Sequence, residues 1–105
     1  MDERVGWRGL AVRWVSDEPQ PGWVEVQCVD ALGRTWSFFD KPPIFSESAH
    51  WSESAMFPIE TTVECRVLSP ASSGADTAAV RIASIWGDAA DGTNEFEVLP
   101  ESLVR

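Results

Sequence analysis

The chain has a single histidine, His50, and two cysteines, Cys28 and Cys65, which stand 37 positions apart. A structural metal site needs three or four such groups, usually in short paired spacings such as Cys-x-x-Cys or His-x-x-x-His. Neither spacing occurs, so no metal ligands are assigned. Nucleophilic catalysis needs a base beside a hydroxyl, an acid to orient the base and an oxyanion hole. Ser46, Ser48, Ser52 and Ser54 surround His50. There is no Gly-x-Ser-x-Gly turn to present a serine, and serines so close in sequence are ordinary loop residues. Phosphate-cradling GxxxxGK and GxGxxG motifs are also absent. The run Asp88-Ala89-Ala90-Asp91-Gly92-Thr93-Asn94-Glu95 has the composition of a calcium loop. Its acids do not follow the D-x-D-x-D-G order, so Asp91-Gly92 reads as a hairpin turn. Glu25, Glu64 and Glu97 fall on outward strand positions, as solvated acids do. The residues therefore suggest no catalytic group and no cofactor, and the chain is expected not to be an enzyme.

Aromatic surface remains. Six Trp and five Phe occur in 105 residues, with no Tyr. A core this small cannot easily bury six indoles, and exposed Trp is a preferred anchor at protein interfaces. Trp23 and Phe39 alternate onto the outward side of their strands, with Glu25 between them. Trp51 and Phe57 lie with His50 and Met56 in a long irregular stretch. Trp23, Glu25, Phe39, Trp51 and Phe57 are the candidate partner-binding residues. For Ile44, Phe45, Trp51 and Phe57 there is a competing structural role, as a plug over one end of a barrel.

Charge narrows the partner. Eight basic and seventeen acidic residues leave a net charge of -9. Residues 1–34 hold four bases and six acids, and residues 35–105 hold four bases and eleven acids. Such a surface repels phosphate backbones and anionic lipid, so neither nucleic acid nor membrane is expected. It attracts a basic protein, although solubility alone also explains an acidic surface.

These side chains must be positioned by strands, because no segment shows a sustained helical period. Short alternating runs separated by Gly, Pro, Asp and Ser recur instead. Residues 7–15 are expected as a first strand, with Leu10, Val12 and Trp14 inward and Trp7 out of phase. Residues 23–29 place Val24, Val26 and Cys28 inward. Asp30-Ala31-Leu32-Gly33 fits a type I turn followed by a left-handed glycine. That turn pairs Asp30 with Arg34, Cys28 with Trp36 and Val26 with Phe38. Strands follow at 34–39, 61–68, 77–86 and 95–99, with Val63, Cys65, Val67, Ala78, Val80 and Ile82 inward. Both cysteines should be reduced and buried. Residues 40–60, with three prolines, are a long irregular loop that has room for one helical turn at 48–54. Pro100 to Leu103 closes the chain as a single turn.

Six antiparallel strands laid flat would expose two edges and an apolar face. Closure removes that problem, so the expected fold is all-β: one domain over residues 1–105, a small six-stranded barrel of SH3-like, OB-like or elongation-factor-like type. Met1-Asp2-Glu3-Arg4 opens on acids and no apolar run reaches the length of a membrane span, so a cytoplasmic location is expected.

Three stretches carry a resemblance: Trp23-Val24-Glu25-Val26, then Asp30 to Arg34 with its glycine, then Phe38-Phe39-Asp40-Lys41-Pro42-Pro43-Ile44-Phe45. Together they are similar to a pattern in small uncharacterised bacterial single-domain proteins of actinobacterial type. The resemblance spans about the first half of the chain. It implies a stand-alone cytosolic domain and brings neither an activity nor catalytic residues.

The leading expectation is a non-enzymatic, acidic protein-interaction domain, of immunity or adaptor type, that binds a basic protein. The alternatives are a homodimeric structural or regulatory protein, and a small-molecule binder at the barrel mouth under residues 40–60.

Overall fold

The computed structural model describes residues 3–16, 18, 22–41, 56–69 and 79–104. Among the described residues, seven strands form one antiparallel sheet: β1 (Arg4–Ser16), β2 (Trp23–Val29), β3 (Thr35–Asp40), β4 (Ile59–Ser69), β5 (Val80–Ser84), β6 (Glu95–Val98) and β7 (Leu103–Val104). Their order is β3-β2-β1-β4-β5-β6, with β7 paired to β1. A 3-10 turn at Pro100–Ser102 precedes β7, where a closing turn is expected from the sequence. The fold is the expected small antiparallel barrel, curled and half closed. Among the described residues, no helix is long and apolar enough to cross a membrane.

The hairpin β2–β3 forms in the register that its turn dictates. Gly33 takes φ +82°, the left-handed region that glycine enters without steric cost. Asp30 N–H donates to Arg34 O at 2.9 Å and Gly33 N–H to Asp30 O at 3.0 Å. The Asp30 carboxylate locks the turn from the side. Its Oδ1 accepts from Leu32 N and Arg34 N, each at 2.9 Å, and its Oδ2 accepts from the Trp36 indole at 2.8 Å. Cys28 then lies opposite Trp36, and Val26 opposite Phe38. The same turn recurs at 89–93, where Ala89 N–H reaches Thr93 O and Gly92 takes φ +91°.

The long central strand β1 departs from the expected phase. Leu10 is 42% exposed and Val12 half-buried, whereas Trp7 is fully buried. A β-bulge between Ala11 and Arg13 is the reason. Before it, odd positions face the core, as Val5, Trp7 and Ala11 show. One extra residue switches the phase, so that Trp14 packs inward after the bulge. Residues 4–11 of β1 pair with β4, and residues 10–16 pair with β2. β7 takes up Gly6 and Trp7 on the edge that β2 leaves.

Trp7 sits at the centre of the core. Its ring is 6.0 Å from Phe38 and 4.9 Å from Phe96, and Phe96 lies 5.0 Å from Trp36. Its indole N–H donates to Val29 O at 3.3 Å. Val24, Val26, Cys28, Val63, Cys65, Ile82, Ala89 and Val98 also belong to the buried cluster. β4 begins at Ile59, two residues earlier than its alternation suggests, and β5 is shorter than the expected 77–86. Ala78 and most of the 40–60 segment, including 48–54, lie outside the described residues.

The curl brings the two ends of the sheet together. The loop joining β5 and β6 lies along the free edge of β3, with Ala90 N–H donating to Ser37 O at 2.8 Å. Ala31 N–H donates to Glu97 O on β6 at 2.9 Å. Gly87 lies so close to Asp40 that a Cβ would come within 3.3 Å of Oδ2.

Both cysteines are free and buried, as their strand phases require. Burial, and then the charge of Glu64, pushes the Cys65 thiol up to about 12. Burial, and then the nearby Cys65, pushes Cys28 up as well. The thiolate is the reactive form, so neither group should react readily at neutral pH. Titration of the native chain with a thiol reagent is expected to show no fast labelling, and titration in denaturant to show two thiols. Fast reaction of the native protein would contradict this packing.

Candidate functional site

The seam between β3 and the β5–β6 loop holds a narrow cleft. Three short segments meet there: 38–40 from β3, 63–64 from β4 and 86–88 after β5. Phe38 and Val63 are buried beneath it. Phe39, Asp40, Glu64, Trp86, Gly87 and Asp88 line the rest. Phe39 is 37% exposed and Trp86 54% exposed, unusually open for large rings. The space that the centre of a water molecule can occupy there is about 20 Å³, in a cleft whose free space, open solvent included, is about 290 Å³. Ligand cavities usually span about 300–1,000 Å³ and bury most of their ligand. This cleft suits a side-chain tip better than a free small molecule.

Its electrostatics favour cations. The Trp86 indole N–H donates to Glu64 Oε2 at 2.8 Å, and Arg4 pairs with Glu64 Oε1 at 3.1 Å. Glu64 therefore anchors the indole N–H, while Trp86 as a whole stays 54% exposed. Asp40 Oδ1 accepts the Lys41 backbone N–H at 2.8 Å. Among the described residues, neither Asp40 nor Asp88 forms an ion pair, and no cation stands over Trp86. Carboxylates beside the negative face of an indole attract a positive group. Among the described residues, no group of His, Cys, Asp and Glu has metal-binding geometry.

The five candidate residues from the sequence separate. Phe39 lines the cleft. Trp23, at the start of β2, is half-buried opposite Ser16. Phe57 is half-buried against the core, in keeping with a plug. Trp51 lies outside the described residues, as does His50.

Glu25 does not behave as a solvated acid. It is opposite Phe39 on the outward face, yet only 7% exposed. Arg13 Nε donates to its Oε1 at 2.6 Å, and Ser37 Oγ and Gln27 Nε2 donate to its Oε2 at 2.8 and 3.2 Å. The Arg13 guanidinium also sits 5.9 Å from the Phe39 ring centroid. The long neighbours of a curled strand cover the carboxylate, so Glu25 braces the sheet rather than offering a free charge to a partner.

Burial alone would raise the Glu25 pKa. The hydrogen bonds from Ser37, Arg13 and Gln27 outweigh it and hold the carboxyl below the ordinary glutamate value. A carboxyl depressed on folding stabilises the fold above its unfolded pKa, and that contribution is lost as pH falls through the folded value. Stability should therefore decline below about pH 4.3, the unfolded glutamate value. Ser37→Ala is expected to cost about 1 kcal/mol at pH 7, and less once the carboxyl is protonated. Urea unfolding of both proteins at neutral and acid pH checks this. An unchanged difference between them across that range would contradict it.

From sequence, Trp86, Asp40, Glu64 and Asp88 are not candidates for binding: Glu64 reads as a solvated outward acid, Asp88 as part of a turn-containing run and Asp40 as part of the resemblance. Trp86 ends the expected strand at 77–86, and a bulky ring beside a glycine is the signal its position offers. Comparison with protein-family models, curated proteins and solved structures returns no match.

Proposed function

We propose that this chain is a non-enzymatic interaction domain that docks a basic protein at the Trp86–Phe39 cleft, in the manner of an immunity or adaptor protein. One observation carries the proposal. Two exposed rings are framed by Asp40, Glu64 and Asp88, on a chain of net charge -9. Exposed aromatics supply the desolvated anchor of an interface, and the carboxylates steer a positive partner and fix its orientation. The small volume of the cleft argues for a protruding side chain over a free metabolite.

Fluorescence anisotropy with labelled peptides tests the proposal. A lysine- and arginine-containing peptide is expected to bind, with affinity falling at least about tenfold as salt rises from ~0.05 to ~0.5 M. An acidic peptide of equal length should not bind. Equal binding of both peptides, or binding of neither, would contradict the proposal. Loss of peptide binding in a chain that light scattering shows to be dimeric would favour the self-association alternative.

A further inference from the structure

The chain contains its own template for what enters the cleft. At Trp36, a carboxylate holds the indole N–H, with Asp30 Oδ2 at 2.8 Å, and the Arg34 guanidinium stands over the ring at 4.4 Å. At Trp86, a carboxylate holds the indole N–H in the same way, with Glu64 Oε2 at 2.8 Å. Among the described residues, no guanidinium covers that ring, although it is 54% exposed and flanked by Asp40 and Asp88. We infer that the cleft is an arginine acceptor: an arginine side chain of a basic protein partner lies over Trp86 and pairs with Asp88 and Asp40. This rests on the proposed function and names the group that the site recognises.

Arginine fits better than lysine for two reasons. A guanidinium is planar and stacks on an indole, whereas an ammonium is compact and more strongly hydrated. Its fork of N–H donors reaches carboxylates at two positions while the plane stays on the ring. Arg13 over Phe39 at 5.9 Å shows a second guanidinium–ring contact in the same fold.

The test uses the full chain labelled with 15N, with the Trp86 indole cross-peak assigned through Trp86→Phe. Titrants are a short Gly/Ser peptide with spaced arginines, the same peptide with lysines, and the same peptide with neutral citrullines. The arginine peptide is expected to shift the Trp86 indole signal and to bind about fivefold more tightly than the lysine peptide. Citrulline should abolish binding. Trp86→Ala should remove the preference for arginine, and Trp86→Phe should keep part of it. Trp86 is largely exposed, so these variants should fold, and unchanged remaining indole signals would verify that. Equal affinity for arginine and lysine with the Trp86 signal unmoved would overturn the inference and leave a diffuse acidic surface as the binding feature. Failure of every basic peptide would instead overturn the functional proposal itself. A Trp86 shift produced by raising the protein concentration alone would assign the cleft to a second copy of the chain and overturn the arginine partner.

Discussion

Trp7→Ala is expected to remove about 3–5 kcal/mol of folding stability, the usual cost of emptying a large aromatic site in a core. Small domains have about 5–15 kcal/mol in total, so this variant should be close to unfolding. Trp7 has no exposed surface and touches Phe38 and Phe96, which lie on opposite sides of the seam. Its loss would loosen both edges at once. A melting temperature lower by about 15 °C or more is the expected reading for a chain of this size. Trp7→Phe refills most of the space and should cost much less. Trp23→Ala is the natural comparison, because Trp23 is only half-buried and lies at a strand end. An unbroken alternation along β1 would predict the opposite, with Trp7 dispensable. A loss below about 1 kcal/mol in Trp7→Ala would therefore remove the bulge at Ala11–Arg13 from the account.

Gly9→Ala is the second large effect. A Cβ at this position would lie 2.5 Å from Cys28 Sγ and 2.6 Å from the Gln27 carbonyl oxygen. The thiol can turn aside, but the carbonyl belongs to β2 and moves only with its strand. The expected cost is about 1–3 kcal/mol, the usual range for overpacking. Cys28→Ala in the same chain relieves the contact with sulfur and leaves the contact with the carbonyl. The double variant should therefore recover only part of the difference, as a double-mutant cycle in urea would show. Gly33→Ala provides a contrast. Nothing lies within 4 Å of its Cβ position, so only the positive φ is strained. Its cost should stay near 1 kcal/mol. Full rescue of Gly9→Ala by Cys28→Ala would show that β1 and β2 are less tightly apposed here.

Local chemistry and alternation explain which parts were legible from sequence. The β2–β3 hairpin was legible to the residue, because a turn with an obligatory left-handed glycine and two alternating strands give the same register. The inward phase of Cys28 follows from that register, and the inward phase of Cys65 from the alternation of its own strand. β1 was not, since a bulge inserts one residue without any composition signal and shifts every later side chain to the other face. Glu25 misled because an outward strand position is not always wet. Arg13 and Ser37 come from the two flanking strands and Gln27 from its own strand, and together they close over it. The cleft was the least legible feature. Phe39, Glu64 and Trp86 are distant in sequence and meet only because the sheet curls until β3 reaches the β5–β6 loop. Strand patterns show that a sheet must close but not which residues face each other across the closure.

The claim that binding is localised in the cleft, and not spread over the acidic surface, is tested most directly by two charge-matched variants. Asp40→Asn/Asp88→Asn removes two negative charges at the cleft, while Glu97→Gln/Glu101→Gln removes two from exposed positions outside it. All four changes are nearly isosteric, so stability should stay within about 0.5 kcal/mol of the parent for each pair. Affinity for the arginine peptide at fixed salt is the measurement. The cleft pair is expected to lose about tenfold and the remote pair less than about twofold, because a charge in close contact counts for far more than a screened one. Equal losses in the two variants would contradict a localised site and reduce the binding to net charge alone.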